Sequence, residues 1–487
     1  MLNRATFFLS LLTILINLIF HQGWSGLPVP GFTVGEDPYA PYQEISETGT
    51  AQYHIFLPVL KQRAPFPSIF GVEIVSDKSG IGFDKMVSAG AYWVRRSAIS
   101  WEEVEPVKGQ RDWRVLANLE QELARAATQG AQMILIVRNT PAWAQKYPGS
   151  SCGPIKPDEL ASFASFMHEL VARYSTAPYK VKYWEILNEP DAPVSNNPAP
   201  YGCWGEVSDR YYGGGYYAEM LKLVYPQVKA AQPEAQVLVG GLLLDCDPVN
   251  PPKHPAASGQ TKDCSSSKFL EGILTNGGSG YFDGVSFHAY DYYQGALGQF
   301  GNDNWNSAWN SSGPSLIAKT AYLRKLLATY KVQDKYLINT EVALLCGAGC
   351  DQVYEITKAY QLVQAYVVAS TLDLRANIWY DAYGVWRNSG LLYPDGSPRP
   401  AYHAYRFASR AIGGAQFLRE ISTTGIKGYE FKKNDRRIWV LWSLDGGTHH
   451  FTLPGTPLSA FDSLGNNLEP GAAIQVTINP TYLEWSP

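Results

Sequence analysis

The chain has 487 residues, of which 45% are hydrophobic, and its 40 basic and 44 acidic residues give a formal net charge of −4. This length suits one large domain with a smaller second one. The nearly balanced charge, without a long charged run, argues against nucleic acid or an anionic membrane surface as a partner. The chain has 14 Trp, 31 Tyr and 19 Phe. These rings indicate a large core, and some of them are candidates for lining a pocket that binds sugars.

The first twenty residues, MLNRATFFLSLLTILINLIF, place Arg4 before an apolar stretch that ends at Phe20. A basic start followed by an apolar run is typical of a signal peptide. The following HQGWSGLPVPG has no clear small-residue cleavage site, so residues 1–23 are interpreted as a signal peptide or as an uncleaved N-terminal anchor. Either interpretation predicts a secreted or extracytoplasmic protein.

The six cysteines predict disulfides, because an even number is typical of exported chains. No CxxC pair or Cys/His cluster has the spacing of a zinc site, so we expect no metal. Pairs that each stay local to one region are favoured, which gives Cys152–Cys203, Cys246–Cys264 and Cys346–Cys350.

Residues 24–65 are rich in Pro, Gly, Ser and Thr and are interpreted as a linker, within which YHIFLPVL is a candidate strand that docks elsewhere. From residue 69 onward, short β-prone runs alternate with longer stretches of helical period. The predicted strands are IFGVEIV (69–75), YWVRRSA (92–98), QMILIVR (132–138), VKYWEILN (181–188), QVLVGGL (236–242), FDGVSFH (282–288), KYLINTE (335–341) and ANIWYD (376–381).

Helical stretches follow these strands. In DWRVLANLEQELARAATQG the apolar residues share one face, and Gly130 stands where a helix C-cap is expected. PDELASFASFMHELVARY begins with Pro157 in its first turn. EITKAYQLVQAYVVAST and PRPAYHAYRFASRAIGG are further predicted helices. Eight strand–helix units predict a (β/α)8 barrel over residues 66–414. An open doubly wound sheet is the alternative, but no glycine-rich phosphate loop follows the first strand.

The pattern changes after about residue 415. KGYEFKKNDRRIWVLWSL alternates in polarity around a turn at NDRR, and short strand patterns continue to YLEWSP. Residues 415–487 therefore predict a small, β-sandwich-like domain.

Catalytic residues of such a barrel lie at the carboxyl ends of its strands. Reactive side chains that the pattern places there are Arg95 on the second strand, Asn188 and Glu189 on the fourth, His288 and Tyr290 on the sixth, Glu341 on the seventh and Trp379 on the eighth. Two carboxylates on nearly opposite strands can face each other across one barrel mouth. Glycoside hydrolysis needs such a pair, since one group protonates the leaving oxygen and the other attacks the anomeric carbon.

WEILNEPD (184–191) and INTE (338–341) together resemble the acid/base and nucleophile motifs of clan A glycoside hydrolases. Arg95, the HAY run from His288 to Tyr290, and Trp379 resemble further residues of that clan. PAWA (141–144) is more similar to family 39 and its relatives than to family 5, which usually has a histidine near that strand end. The resemblance covers residues 69–412.

The resemblance implies that Glu189 is the general acid and then the general base, and that Glu341 is the nucleophile. It implies that Asn188 binds the sugar 2-hydroxyl and that Arg95 keeps Glu341 charged and oriented. Tyr290 would donate a hydrogen bond to Glu341.

Aromatic and histidine side chains complete the expected substrate site. Trp379 would form a platform under a sugar ring, which Trp143, Trp204 and Trp386 would extend. His288 is assigned to the site because of its place at a strand end.

Some charged residues have plainer explanations. Glu185 is expected to be a buried partner of Arg95 or Arg96 rather than a catalyst. For Glu73, a place in the pocket and a structural role remain equally open.

The sequence thus predicts an exported, monomeric, retaining glycoside hydrolase that acts on a β-linked poly- or oligosaccharide without metal or organic cofactor. Two alternatives remain, a non-catalytic carbohydrate-binding barrel at the cell surface and a transglycosylase with the same residues. Specificity is expected to lie in the long loops 140–156, 190–212, 245–265 and 291–312.

Overall fold

The computed structural model of the chain describes residues 68–75, 81–193, 204–253, 260–384 and 386–486. The predictions for residues 1–23 and 24–65 and for Cys203 therefore lie outside the described residues. Eight strands of the described part are β1 (Phe70–Glu73), β2 (Trp93–Ser100), β3 (Gln132–Arg138), β4 (Tyr183–Asn188), β5 (Gln236–Leu242), β6 (Gly284–Tyr293), β7 (Tyr336–Leu345) and β8 (Asn377–Trp379).

These eight strands close into one parallel barrel. Each strand pairs in parallel with the next, and β8 returns to pair with β1. The predicted (β/α)8 barrel is thereby confirmed, and the open doubly wound alternative is wrong because an open sheet has no pairing between its first and last strands.

Helices surround the barrel. They are α1 (Ile81–Ser88), α2 (Trp101–Val104), α3 (Ala117–Gln129), α4 (Leu160–Tyr174), α5 (Gly214–Ala231), α6 (Phe269–Thr275), α7 (Leu316–Thr329), α8 (Gln352–Ala369) and α9 (Pro400–Ile412). The helix predicted around residues 112–130 begins with a 3-10 turn at Trp113–Leu116 and ends at Gly130, whose φ of 74° is the left-handed C-cap expected of glycine.

The barrel interior has an apolar floor beneath a polar layer. Trp93, Tyr183 and Ile338 belong to a buried cluster that plugs the barrel. Alternate residues of a strand point to the same side, so two positions further along the same strands Arg95, Glu185 and Thr340 enter the interior. All three are completely buried. The layer above the floor therefore carries charge that has to be paired within the barrel.

Strands β6 and β7 run several residues beyond their predicted ends. Their pairing continues to Tyr292 and Leu345, and Tyr292–Tyr293 then pair with a short antiparallel ribbon formed by Phe300–Asn302 and Ser307–Ala308. The predicted strands ended where the apolar runs met polar residues. In the structure the ribbon provides backbone hydrogen-bond partners for the end of β6, so this strand continues beyond its predicted end.

The C-terminal strands form two antiparallel sheets. They are β9 (Gln416–Thr423), β10 (Ile426–Lys433), β11 (Arg436–Ser443), β12 (His449–Thr452), β13 (Ser459–Phe461), β14 (Asn467–Leu468), β15 (Ala473–Val476) and β16 (Thr481–Trp485). Six of them are ordered β9-β10-β11-β16-β13-β14, and β12 pairs with β15. Helix α9 packs on this region through Phe407, whose ring lies 5.1 Å from that of Phe461 and 5.0 Å from that of Tyr482. The predicted all-β C-terminal domain is thus observed.

Two predicted disulfides, Cys246–Cys264 and Cys346–Cys350, are present. Cys152 is also disulfide-bonded. Within the ranges that the structure describes, no helix is long and apolar enough to cross a membrane.

Candidate active site

Glu189 and Glu341 meet at the carboxyl-end mouth of the barrel. Glu189 directly follows β4, and Glu341 lies in β7. One carboxylate oxygen of each lies within 4.8 Å of the other. Leu187 and Glu189, on either side of Asn188, have φ values of 65° and 45°. Left-handed backbone at two non-glycine residues is strained and is typical of functional sites.

A single arginine holds the polar layer together. Arg95 contacts Glu185 through two hydrogen bonds, from Nε at 2.8 Å and from Nη2 at 3.1 Å. Its Nη1 donates to both Glu73 and Glu341, and its Nη2 also donates to Asn188 at 2.6 Å. The predicted ion pair between Glu185 and Arg95 is confirmed. Glu73 also accepts a hydrogen bond from Arg95, so it belongs to the same buried polar cluster.

His288 connects the polar layer to Glu189. Its Nδ1 lies 2.8 Å from Glu189 Oε1, and its Nε2 lies 3.4 Å from Arg95 Nη2. Burial, then the charges of Arg95 and Lys319, hold the pKa of His288 well below its usual range, so the ring is neutral. Nε2 also lies 3.4 Å from Glu341 Oε1, so it faces a donor and an acceptor at the same distance. The short contact of Nδ1 with Glu189 is a hydrogen bond whichever of the two groups carries the proton, and it fixes the orientation of the Glu189 carboxyl group.

Glu341 is stabilised as a carboxylate more strongly than Glu189. Burial raises the pKa of Glu341, but Arg95 and the hydroxyl of Tyr290, which donates to Oε2, act against this. Burial, then Glu341 and Asp191, raise the pKa of Glu189 well above its usual range. Two acids whose surroundings separate their proton affinities suit an acid and a nucleophile.

Of the two tryptophans predicted after the eighth strand and in it, Trp386 and not Trp379 has an exposed ring. Trp379 is completely buried, and its indole nitrogen donates to the carbonyl of Ser389 at 3.0 Å. Trp386 is 44% exposed, and its ring lies 5.5 Å from that of Tyr290 and 5.6 Å from that of Tyr380. The open platform predicted for Trp379 is not present in the structure, because the segment after β8 covers that ring.

The other two predicted tryptophans pack into the protein. Trp143, on the loop after β3, donates to the carbonyl of Glu105 at 2.9 Å, and its ring meets that of Trp101 edge-on at 5.2 Å. Trp204 is 1% exposed and stacks on Tyr216. Trp204 therefore has no free face for a sugar, whereas Trp143 is only partly buried.

Glu189, His288 and Glu341 are a group of potential metal ligands in the described part of the chain. Their atoms already have protein partners, since His288 is hydrogen-bonded to Glu189, and Arg95 and Tyr290 donate to Glu341. The Arg95 guanidinium also places a positive charge directly against Glu341. This donor set does not fit a resident cation.

Three residues of the site were not identified from the sequence. Asp191 follows the NEP run and is completely buried, accepting from the backbone N–H groups of Leu243 and Leu244 at 2.8 and 2.9 Å. Lys319 on α7 is buried behind His288. Gly241 lies where a side chain would collide with His288 and Glu185. Only Asp191, next to the motif, had a signal in the sequence.

No protein-family model and no curated protein matches the chain. Solved structures do match it. A family 39 glycoside hydrolase from the gut symbiont Bacteroides cellulosilyticus WH2 aligns with a TM-score of 0.64 at 19% identity, over 87% of this chain and 81% of that chain. A glucosidase from Croceicoccus marinus aligns with a TM-score of 0.56 at 13% identity, over 87% of this chain and 96% of that one.

A GH30 endoxylanase from Clostridium papyrosolvens C71 also aligns, with a TM-score of 0.56 at 13% identity, over 87% of this chain and 98% of that one. At these identities the likeness establishes a shared fold. The chain therefore shares the fold of these glycoside hydrolases, with the barrel that the resemblance to clan A implied.

Proposed function

We propose that the chain is a retaining glycoside hydrolase that cleaves β-linked O-glycosidic bonds in a poly- or oligosaccharide. The observation that carries the proposal is the pair of carboxylate oxygens of Glu189 and Glu341, within 4.8 Å of each other at the mouth of the barrel. Retaining enzymes hold their two carboxyl groups about 5–5.5 Å apart, whereas inverting enzymes need about 6.5–9.5 Å to admit a water molecule.

In the first step Glu341 attacks the anomeric carbon while Glu189 protonates the departing glycosidic oxygen. The bond between carbon and leaving oxygen breaks, and an ester between Glu341 and the sugar forms. Arg95 and Tyr290 both contact Glu341 and hold its attacking carboxylate in place. Asn188, at the end of β4, would bind the sugar 2-hydroxyl, an interaction that strengthens in the transition state.

In the second step Glu189, now ionised, takes a proton from a water molecule that attacks the same carbon. The ester to Glu341 breaks, and the configuration of the sugar is retained. His288 is hydrogen-bonded to Oε1 of Glu189 and so orients the carboxyl group. Trp386 supplies the half-exposed aromatic face for a neighbouring sugar. The β-linkage itself is supported by the resemblance to clan A.

The test is hydrolysis of a panel of aryl β-glycosides and β-glucans by wild type, Glu189→Ala and Glu341→Ala. At least one substrate is expected to be cleaved, with a loss of about 10³-fold or more in kcat for either variant. Azide should rescue Glu341→Ala with an α-glycosyl azide as product. Glu430→Gln is a matched control, because Glu430 is a buried, ion-paired glutamate of the C-terminal sheet.

Product analysis separates the remaining alternatives. If wild type binds a polysaccharide but cleaves nothing, and both alanine variants bind it equally well, the non-catalytic binding barrel is correct. If products longer than the substrate appear, the enzyme is a transglycosylase. The disulfides Cys246–Cys264 and Cys346–Cys350 support an oxidising, extracytoplasmic location.

A further inference from the structure

A buried lysine behind the acid pair has no part in the mechanism above. Lys319 on α7 is 3% exposed. Its ammonium donates to the carbonyl of Leu243 at 2.7 Å and to the carbonyl of His288 at 2.8 Å. It also lies 5.5 Å from the centre of the Trp305 ring. Burying an ammonium group without a counter-charge costs several kcal/mol of folding free energy. Such a costly group is typical of a functional site.

The acidic groups that face Lys319 come from three neighbouring strand ends. They are Glu189 and Asp191 after β4, Asp245 after β5 and Asp291 in β6. Asp245 pairs with Lys262 at 2.7 Å, and Asp291 accepts from Ser315 N–H and Gln361. In the region covered by the structure, Lys319 forms no direct ion pair, and both of its hydrogen bonds go to carbonyl groups. Its charge therefore acts on these carboxyl groups through space.

Leu243 links Lys319 to Asp191. The N–H of Leu243 donates to Asp191, and its carbonyl accepts from Lys319. The two charges are thus fixed on either side of one residue. They act on Glu189 in opposite directions, because Asp191 raises the pKa of Glu189 and Lys319 lowers it.

We propose that Lys319 is a positioning residue for Glu189, supplying a buried positive charge that stabilises its carboxylate form when Glu189 has to act as a base. This inference rests on the proposed function. In the free enzyme Arg95 already donates hydrogen bonds to Glu73, Glu185 and Glu341. Once Glu341 is esterified, its negative charge is gone, and Lys319 favours an ionised Glu189 that can accept a proton from water. Lys319 also holds the carbonyl of His288, whose ring is hydrogen-bonded to Glu189.

Lys319→Met should therefore slow the second step more than the first. With a 2,4-dinitrophenyl glycoside of the sugar that wild type cleaves, the leaving group needs no protonation, so the second step limits kcat. We expect kcat to fall about tenfold while the glycosyl-enzyme accumulates. In the dependence of kcat on pH, the acidic limb, where Glu189 becomes protonated and can no longer act as a base, should move to higher pH. Lys319→Arg, which keeps the charge, should restore the limb.

Lys358→Met is the matched control. Lys358 on α8 is buried in the same way and donates to the carbonyl groups of Asn388 and Gly390, at 2.7 and 3.0 Å. Its charge is paired with Glu355 at 3.1 Å. Lys358→Met should lower the free energy of unfolding but leave the acidic limb of the kcat–pH profile, which reports Glu189, unchanged. An equal effect of both lysine variants on this limb would overturn the proposal.

A second measurement does not depend on activity. The carboxyl ¹³C shift of Glu189, assigned by comparison with Glu189→Gln, reports its titration in the unliganded protein. Lys319→Met should move this titration to higher pH and Asp191→Asn to lower pH. If Asp191→Asn moves it and Lys319→Met does not, the proposal is wrong. If no glycoside is cleaved but both shifts occur, the proposed function fails while the electrostatic link stands.

Discussion

Glu73 on β1 and Glu341 on β7 accept hydrogen bonds from the same nitrogen, Nη1 of Arg95. One guanidinium thus serves a candidate nucleophile and a buried carboxyl group that has no place in the chemistry. Burial, with Arg95 acting against it, raises the pKa of Glu73 to about 8. Glu73 therefore holds a proton at neutral pH, and the charge of Arg95 is left for its other partners.

Glu73 should make the protein less stable as the pH rises. Its pKa is about 8 in the folded protein and about 4.3 in an unfolded chain. Between these values the folded state binds more protons, so the free energy of unfolding falls with increasing pH across this window. In Glu73→Gln the fall should be shallower. Urea unfolding from about pH 4.5 to 8.5 measures it, and an unchanged slope would show that Glu73 is ionised throughout.

Glu430→Gln is the control for that experiment. Burial acts to raise the pKa of Glu430, but its partners Arg419 and Arg437 outweigh it and lower the pKa. The contribution of Glu430 to stability is therefore present at neutral pH and is lost as the pH falls through its folded-state pKa. The Gln variant should lose stability at neutral pH while keeping the slope of wild type above pH 5.

Arg95→Lys should be far more damaging than Arg96→Lys. Arg95 is completely buried and binds three carboxyl groups, whereas Arg96 pairs with Glu122 near the surface. A lysine keeps the charge but has no planar fork, so it cannot reach all three partners and leaves a buried carboxyl group without its hydrogen-bonded cation, which costs about 3–5 kcal/mol. The Arg96 variant should lose about 1 kcal/mol or less. Urea unfolding gives both values, and equal losses would contradict the assigned role of Arg95.

Much of the barrel could be predicted because its signal is local. The strands β3 and β5 have their predicted bounds, since each is an apolar run that is buried on both faces. Glu189 and Glu341 could be expected near each other because a parallel barrel brings the carboxyl ends of all its strands to one rim. Neither inference needs the exact stagger of the strands.

The rest depended on contacts between distant segments. The pairing of β6 with β7 shifts between Phe287 and His288, which brings His288 opposite Glu341. Nothing in the sequence marks that shift. Trp379 was expected to face a sugar, but the course of the chain after β8, up to Ser389, decides that it is covered. Lys319 lies in an ordinary helical pattern and becomes notable only when its two carbonyl partners are seen.

Gly241→Ala should disturb the site although no reactive group is removed. A Cβ at Gly241 would lie 2.6 Å from a carboxylate oxygen of Glu185 and would overlap the ring of His288. Because both neighbours are buried and hydrogen-bonded, their displacement should cost about 1–3 kcal/mol and lower kcat/KM by about tenfold or more. Gly455→Ala, with open space around the added methyl group, should behave as wild type. A fully active Gly241→Ala would show that His288 has room to move.

Trp386→Ala and Trp379→Ala should separate substrate binding from packing. Trp386 is 44% exposed and contacts Tyr290 and Tyr380. Its removal should raise KM by about tenfold, the equivalent of about 1.4 kcal/mol of lost stacking, with little change in the free energy of unfolding. Trp379 is fully enclosed, so its removal leaves a cavity and should cost about 3–5 kcal/mol of stability.

Substrate titrations and urea unfolding of the same two preparations measure both effects. If Trp379→Ala is stable and binds substrate poorly while Trp386→Ala binds normally, the segment after β8 opens in solution. Trp379 would then be the sugar platform that the sequence predicted, and the covered ring would be one state of a moving loop. The opposite result assigns the platform to Trp386 and leaves Trp379 as the ring on which that segment packs.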